Sequence, residues 1–454
     1  MIACRRARLP AGRGGLVCVA IMLVAGTLGL PSSAFGETYF VRQMAGRDEN
    51  DGRSPATAWQ HVGKLSAAMH AGDTAYVGPG LYRDEIEVRQ SGTSEQPIVF
   101  VADETGRNTG DSPGVVMLTG AEPVDETIFA SGGAPGVYTA PFPAWEVWGV
   151  VEMDGPQARY VRATITSEHL VDHLAPADAV AKLRSSFFYD ETTRTLLLHT
   201  SDDRPPATHE LELVQRGHGI FARGGKEYVT VIGFTFRHMQ DAGVSFFAGS
   251  AHGTVVRTTA YGSRQGVRVY GSSDVLVYGS TLFRNENSGV YFAAGSTGGR
   301  AIGNTSYENV KGLRWSSDST NAMALDNVLF DNLERGLSLE NADGAIVRGN
   351  RLVHNAVSQL QVLQSRYASD ENCFAAAPEQ LVADFTPFDF ADRYDRLAAY
   401  QQAKHQDPQS REGGCGPLPE KVDVQALHAR TSGAAGAPER SSIAALLRRL
   451  LGTR

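Results

Sequence analysis

Apolar residues recur along the second half of the chain in two columns. Gly243, Gly266, Gly289, Gly312 and Gly336 stand 23 or 24 residues apart, and Gln359 takes the next place. One residue after each come Val244, Val267, Val290, Leu313, Leu337 and Leu360. Three after come Phe246, Val269, Phe292, Trp315, Leu339 and Val362. Alternation inside each short segment predicts strands, and a fixed period predicts that every turn buries its apolar side chains against the turns before and after it. The fold class expected is an all-β solenoid of coils of about 23 residues. Asn304, Asn327 and Asn350 share the period, which places their amides at one tight corner. A leucine-dense repeat consensus is absent, which excludes a leucine-rich-repeat horseshoe.

Upstream, Trp59, Val62, Leu65, Ala68 and Met69 fall three and four apart after the Asp51-Gly52 and Ser54-Pro55 turn signals. That spacing predicts a helix from near Thr57 to Met69, followed by a strand over 73–77. The period breaks between 121 and 216, where Trp145, Trp148, Met153-Asp154-Gly155 and Phe187-Phe188-Tyr189-Asp190 point to extra strands and hairpins. A helix is expected over 392–405 and a short basic amphipathic helix from Ile443.

The stretches GRDENDGRSPATAW (46–59) and GDTAYVGPGLYR (72–83), together with the repeat, resemble the right-handed parallel β-helix superfamily of secreted pectate-lyase-like proteins. The resemblance covers most of residues 38–375. It implies an N-terminal capping helix and first coils over 37–120, an inserted β-rich lobe over 121–216, β-helix repeats over 217–372, a C-terminal cap segment over 373–418, and a linker with a short helix over 419–454. It also implies that substrate lies along the glycine-led strand, with the lobe walling one side of the groove. A calcium loop built from Asp48, Asn50 and Asp51 is one residue short of EF-hand spacing and is a weak rival to the capping role.

Four arginines before an apolar run from Leu16 to Leu30 read as a signal peptide cleaved after Gly36, which places the protein in the periplasm or outside the cell. Without those residues the formal charge of −8 becomes −12, which argues against nucleic acid as a partner. Only Cys373 and Cys415 then remain. They permit one disulfide, with free thiols the alternative, and export favours the bridge.

With the two apolar columns inside, the residue between them points out, giving the row Ser245, Arg268, Tyr291, Arg314, Ser338 and Gln361. Residues 253–315 carry seven basic side chains against three acidic ones; residues 316–344 carry six acidic against one basic. A basic row beside an acidic coil suits an acidic polysaccharide. Arg314, Tyr291 and Lys311 are the candidate catalytic groups and Arg268, Ser338 and Gln361 the candidate substrate contacts. Glu340 and Asp331 are weaker candidates for holding calcium. The activity expected is a polysaccharide lyase that cleaves a uronate-containing chain by β-elimination, acting as a monomer without membrane or nucleic acid. The alternatives are a β-helix glycosidase with paired carboxylates and a non-catalytic polysaccharide-binding or cell-surface β-helix. Stacked surface charge that merely keeps a solenoid soluble is the plainer reading of the same row.

Overall fold

The computed structural model describes residues 36–142, 146–155, 159–162, 175–375, 380–385 and 392–430. The expected signal peptide, Trp145 and the helix from Ile443 lie outside them. Among the described residues no helix is long and apolar enough to cross a membrane.

Three ten-stranded sheets wind around one core. The first runs from Thr38–Val41 to Tyr367–Asp370, the second from Gly80–Tyr82 to Arg411–Glu412, and the third from Ile86–Val88 to Arg393–Tyr394. Every neighbouring pair in the three sheets is parallel except the last of the third. Each coil passes from the third sheet to the first, then to the second. The register aligns Val244 with Val267, Val290, Leu313, Leu337 and Leu360. All six are buried, as are the members of the second apolar column. The chain is therefore a parallel β-helix, longer at both ends than the repeat alone shows.

The corners are held by asparagine. Between the first and second sheets, Asn304 Nδ2 donates to Asn327 Oδ1 at 3.0 Å, Asn327 to Asn350 at 2.9 Å and Asn350 to Asn372 at 3.0 Å. The residue before each asparagine takes the left-handed conformation, with φ of 63° at Gly303, 56° at Asp326 and 69° at Gly349, positions that glycine or aspartate fills at least cost. A second ladder, absent from the sequence reading, lies between the second and third sheets: Asn285, Asn309, Asn332 and Asn355 link at 2.9, 3.2 and 2.8 Å.

The N-terminal segment departs from expectation. The helix of 57–69 is reduced to a 3₁₀ turn at Val62–Lys64 and one α-turn at Leu65–Ala68. Trp59 is extended instead, because its backbone bonds to Phe40 and Arg42 at the edge of the first sheet, and that pairing outbids one more helical turn. Asp48 is spent on His61 and Gln60, and Asp51 on Thr57 and Arg53, so the turn caps the solenoid without carboxylates to spare for calcium. At the other end the helix is Leu397–Lys404, shorter than 392–405. Cys373 and Cys415 form a disulfide.

Residues 419–430 are packed rather than a free linker. They run back along the outside of the second sheet, where the rings of Tyr261, Phe283, Tyr307 and Phe330 stack at 4.9, 5.0 and 5.0 Å. Val424 and Leu427 join that cluster. Between Val116–Thr119 of the second sheet and His218–Arg223 of the third, the chain leaves the solenoid to form a five-stranded and a three-stranded sheet. This lobe replaces one corner, so it stands at the head of the third sheet. It is fastened there by Glu212, whose carboxylate accepts from Arg83 at 2.7 Å and from the fully buried Arg237 at 3.2 Å.

Candidate active site on the third sheet

The register confirms the outward row: Ser245, Arg268, Tyr291, Arg314, Ser338 and Gln361 are consecutive partners across the third sheet. Beside it the register joins Phe247, Tyr270 and Ala293, and farther along Ser316, Glu340 and Leu363. This face is not a bare surface. Ser245 and Ser338 are buried beneath their longer neighbours.

The acidic coil does not sit apart from the basic row; it neutralises it. Arg314 donates from Nε at 3.1 Å and Nη2 at 2.6 Å to one oxygen of Glu340, and Lys311 Nζ stands 3.3 Å from the other. Ser338 donates to that second oxygen at 2.7 Å and lies 2.9 Å from Gln361 Oε1. Burial pushes the Lys311 amine below the usual lysine range, with Arg314 and Arg335 adding to the effect and Glu340 opposing it. Burial acts to raise the Glu340 carboxyl, but Lys311, Arg314 and Ser338 together outweigh it and hold it below the usual range. Tyr291 lies under the Arg314 guanidinium, and its hydroxyl is 3.0 Å from Ser316 Oγ. Arg268 is paired with Asp241 and lies over the rings of Phe247 and Tyr270.

Glu340 and Asp331 are not brought together. Asp331 lies at the corner after the second-sheet strand Val328–Phe330, where it binds Lys421 at 2.8 Å, while Glu340 belongs to the third sheet. Each is committed to cationic side chains, so this pair does not fit calcium.

Several groups at the head of the sheet escaped sequence reading. His218, one coil before Ala242, stands 3.0 Å from Ser245 Oγ and 3.9 Å from Asp241. Burial lowers its pKa against the pull of Asp241. Asp84 is half-buried, its Oδ2 lacks a hydrogen-bond partner, and burial raises its pKa. Between lobe and solenoid lies a pocket of about 160 Å³ lined by Trp148, Arg159, Tyr160, Phe187, Arg264 and Glu286 among others. Arg159 bridges the two bodies, 3.0 Å from Glu286 and bonded to the carbonyls of Trp148 and Met239. For the pocket the signal was the cluster of aromatic residues in the aperiodic stretch; His218 and Asp84 carried none.

The family signature described as a right-handed β-helix region matches residues 218–374. No curated protein sequence matches the chain. Among solved structures, the complex of XylC with xylose is similar with a TM-score of 0.59 at 14% identity, over 76% of this chain and 66% of that one. The chain thus spans just under two thirds of that protein. A glycoside hydrolase is similar with a TM-score of 0.55 at 12% identity, over 79% of this chain and 90% of that one. At such identities the likeness establishes architecture alone, and with the signature and the three sheets it shows the right-handed parallel β-helix fold.

Proposed function

We propose that this protein is a carbohydrate-active enzyme that cleaves a uronate-containing polysaccharide by β-elimination on the outer face of its third sheet. The observation that carries this reading is the placement of Lys311 and Arg314 on one rung with Tyr291 on the next, and the Lys311 amine depressed by burial. A lysine that gives up its proton more readily is suited to act as a base. Its nitrogen takes the proton from the carbon beside the uronate carboxylate, the electron pair forms a carbon–carbon double bond, and the glycosidic C–O bond breaks. The Tyr291 hydroxyl supplies the proton to the leaving oxygen. Glu340 occupies the Nε and Nη2 edge of Arg314, so the Nη1 edge is the one that meets the sugar carboxylate. Glu340 and, through it, the buried Ser338 hold the Arg314 guanidinium and the Lys311 amine in place. Arg268, with Phe247 and Tyr270, extends the surface toward the pocket under the lobe, where Trp148 offers a ring to a sugar face.

A glycosidase is the second reading, favoured by the raised pKa of the Asp84 carboxyl. There Asp84 is the proton donor. The experiment is absorbance of the conjugated unsaturated uronate on pectate, alginate and glycosaminoglycans. New reducing ends without that chromophore, lost in Asp84→Asn, support the glycosidase. No cleavage of acidic or neutral polysaccharides overturns both in favour of a binding protein.

A further inference from the structure

At the base of the lobe, away from the row just described, Glu152, Asp154 and His209 present three ligand atoms within 4.8 Å of one another. Local structure brings them together. Glu152 ends the strand Gly149–Glu152, which pairs antiparallel with Leu211–Val214 so that Glu152 faces Leu211. The turn beyond it folds Asp154 back onto the segment before Leu211, with the Glu210 amide donating to Asp154 Oδ1 at 3.1 Å. The His209 side chain is 1% exposed and that of Glu152 9%, while Asp154 at 40% leaves the cluster open on one side.

The imidazole has two different faces. Nε2 lies 3.1 Å from Asp202 Oδ1, and a carboxylate only accepts, so Nε2 carries a proton. Nδ1 faces two carboxylates at once, Asp154 Oδ2 at 3.3 Å and Glu152 Oε1 at 3.4 Å. A proton on Nδ1 would draw one carboxylate in to about 2.7–2.9 Å, the length of a charge-assisted bond. Two ligands each about 2.0–2.1 Å from a tetrahedral ion stand roughly 3.3–3.4 Å apart. The observed 3.3 and 3.4 Å equal the second spacing, while the shorter also meets hydrogen-bond geometry. Asp202 behind the ring completes a carboxylate–histidine–metal relay. Glu152 is oriented in the same way, accepting from Ser201 at 2.7 Å on Oε1 and from the Tyr160 hydroxyl on Oε2.

We infer that Glu152, Asp154 and His209 bind a divalent first-row cation of the zinc type, with the exposed side of the cluster left to water. The mixture of imidazole and carboxylate suits zinc and disfavours calcium, which takes oxygen ligands. Because Tyr160 lines the pocket between lobe and solenoid and is held by Glu152, the ion would set one wall of that pocket. The inference stands whichever carbohydrate chemistry the third sheet performs.

The test uses the full chain without a polyhistidine tag, stripped with a chelator and titrated calorimetrically with zinc chloride. One equivalent at micromolar affinity or tighter is expected, and cobalt(II) in its place should give the intense visible bands of a tetrahedral site. Asp154→Asn, at a half-exposed position where folding is undisturbed, should weaken zinc at least tenfold. Asp202→Asn should weaken it by about 10–100-fold while keeping the cobalt bands, and His209→Gln should abolish both. Failure of His209→Gln to fold leaves the decision to Asp154→Asn. Absence of stoichiometric zinc binding in the natural sequence, or unchanged affinity in folded Asp154→Asn, overturns the inference.

Discussion

The Arg314 guanidinium lies 4.9 Å over the ring of Tyr291, its partner on the neighbouring rung. The contact joins a cation to a phenol on a face where Glu340 already holds Arg314 from the other side. Arg314 is therefore fixed from two directions before substrate arrives. In Arg314→Ala the charge facing the uronate carboxylate is lost, and kcat should fall about 100-fold or more, the scale set by removing one preorganised donor. Arg314→Lys should recover little, because a point ammonium cannot keep both contacts. Rate of ultraviolet absorbance increase on the preferred polyuronate measures both. Full activity in Arg314→Ala refutes the site.

The pH profile tests Lys311. A base must be neutral, so activity rises as pH climbs through the pKa of the amine. Burial sets that pKa below the ordinary lysine value, so the rising limb should appear at lower pH than an exposed lysine would give. Lys311→Arg keeps the charge but cannot deprotonate, and should cost roughly 10²–10⁴ in rate at every accessible pH. A profile with the same limb in that variant would assign the base elsewhere.

Asn332 sits in the middle of the second ladder. Its Oδ1 accepts from the Asn309 amide at 3.1 Å and its Nδ2 donates to Ser306 O at 3.1 Å, all of them buried. Asn332→Ala strands several polar groups, and each buried orphan costs about 1–3 kcal/mol. A loss near 2–4 kcal/mol is expected, read from the urea midpoint. Asn332→Asp should not restore the ladder, since a carboxylate cannot donate to the next rung.

Arg237 and Glu212 test how the lobe is fastened. Arg237→Met leaves the buried Glu212 carboxylate with Arg83 as its remaining arginine, and breaking a buried pair costs about 3–5 kcal/mol. Arg237 also donates to His428 Nδ1 at 3.0 Å, and burial followed by Arg237 lowers the His428 pKa. A depressed histidine contributes stability above its unfolded value of about 6.5, lost as pH falls through the lower folded value. Denaturation followed between pH 8 and 5 should show this loss, and His428→Gln should flatten it.

The solenoid was legible because a parallel register copies each position onto the next coil. Val244, Val267 and Val290 meet whatever the corners do, and the same arithmetic aligned Arg268, Tyr291 and Arg314 and one asparagine column. The second column, Asn285 to Asn355, carried the same period and could have been read from it. Partners were another matter. That Glu340 pairs with Arg314 and Lys311 depends on side-chain reach between neighbouring rungs, which spacing does not encode.

Where the period stops, sequence reading stops with it. Glu152 and His209 are separated by a whole hairpin, and Arg237 and His428 by most of the repeats. Each pair meets only because the lobe and the C-terminal segment pack against the finished solenoid. The sequence by itself determined the coil, its buried columns and the outward row, because these are set by local alternation under a fixed repeat. Tertiary packing alone decided which charges face each other and where pocket and cation site form, because those contacts join segments that share no period.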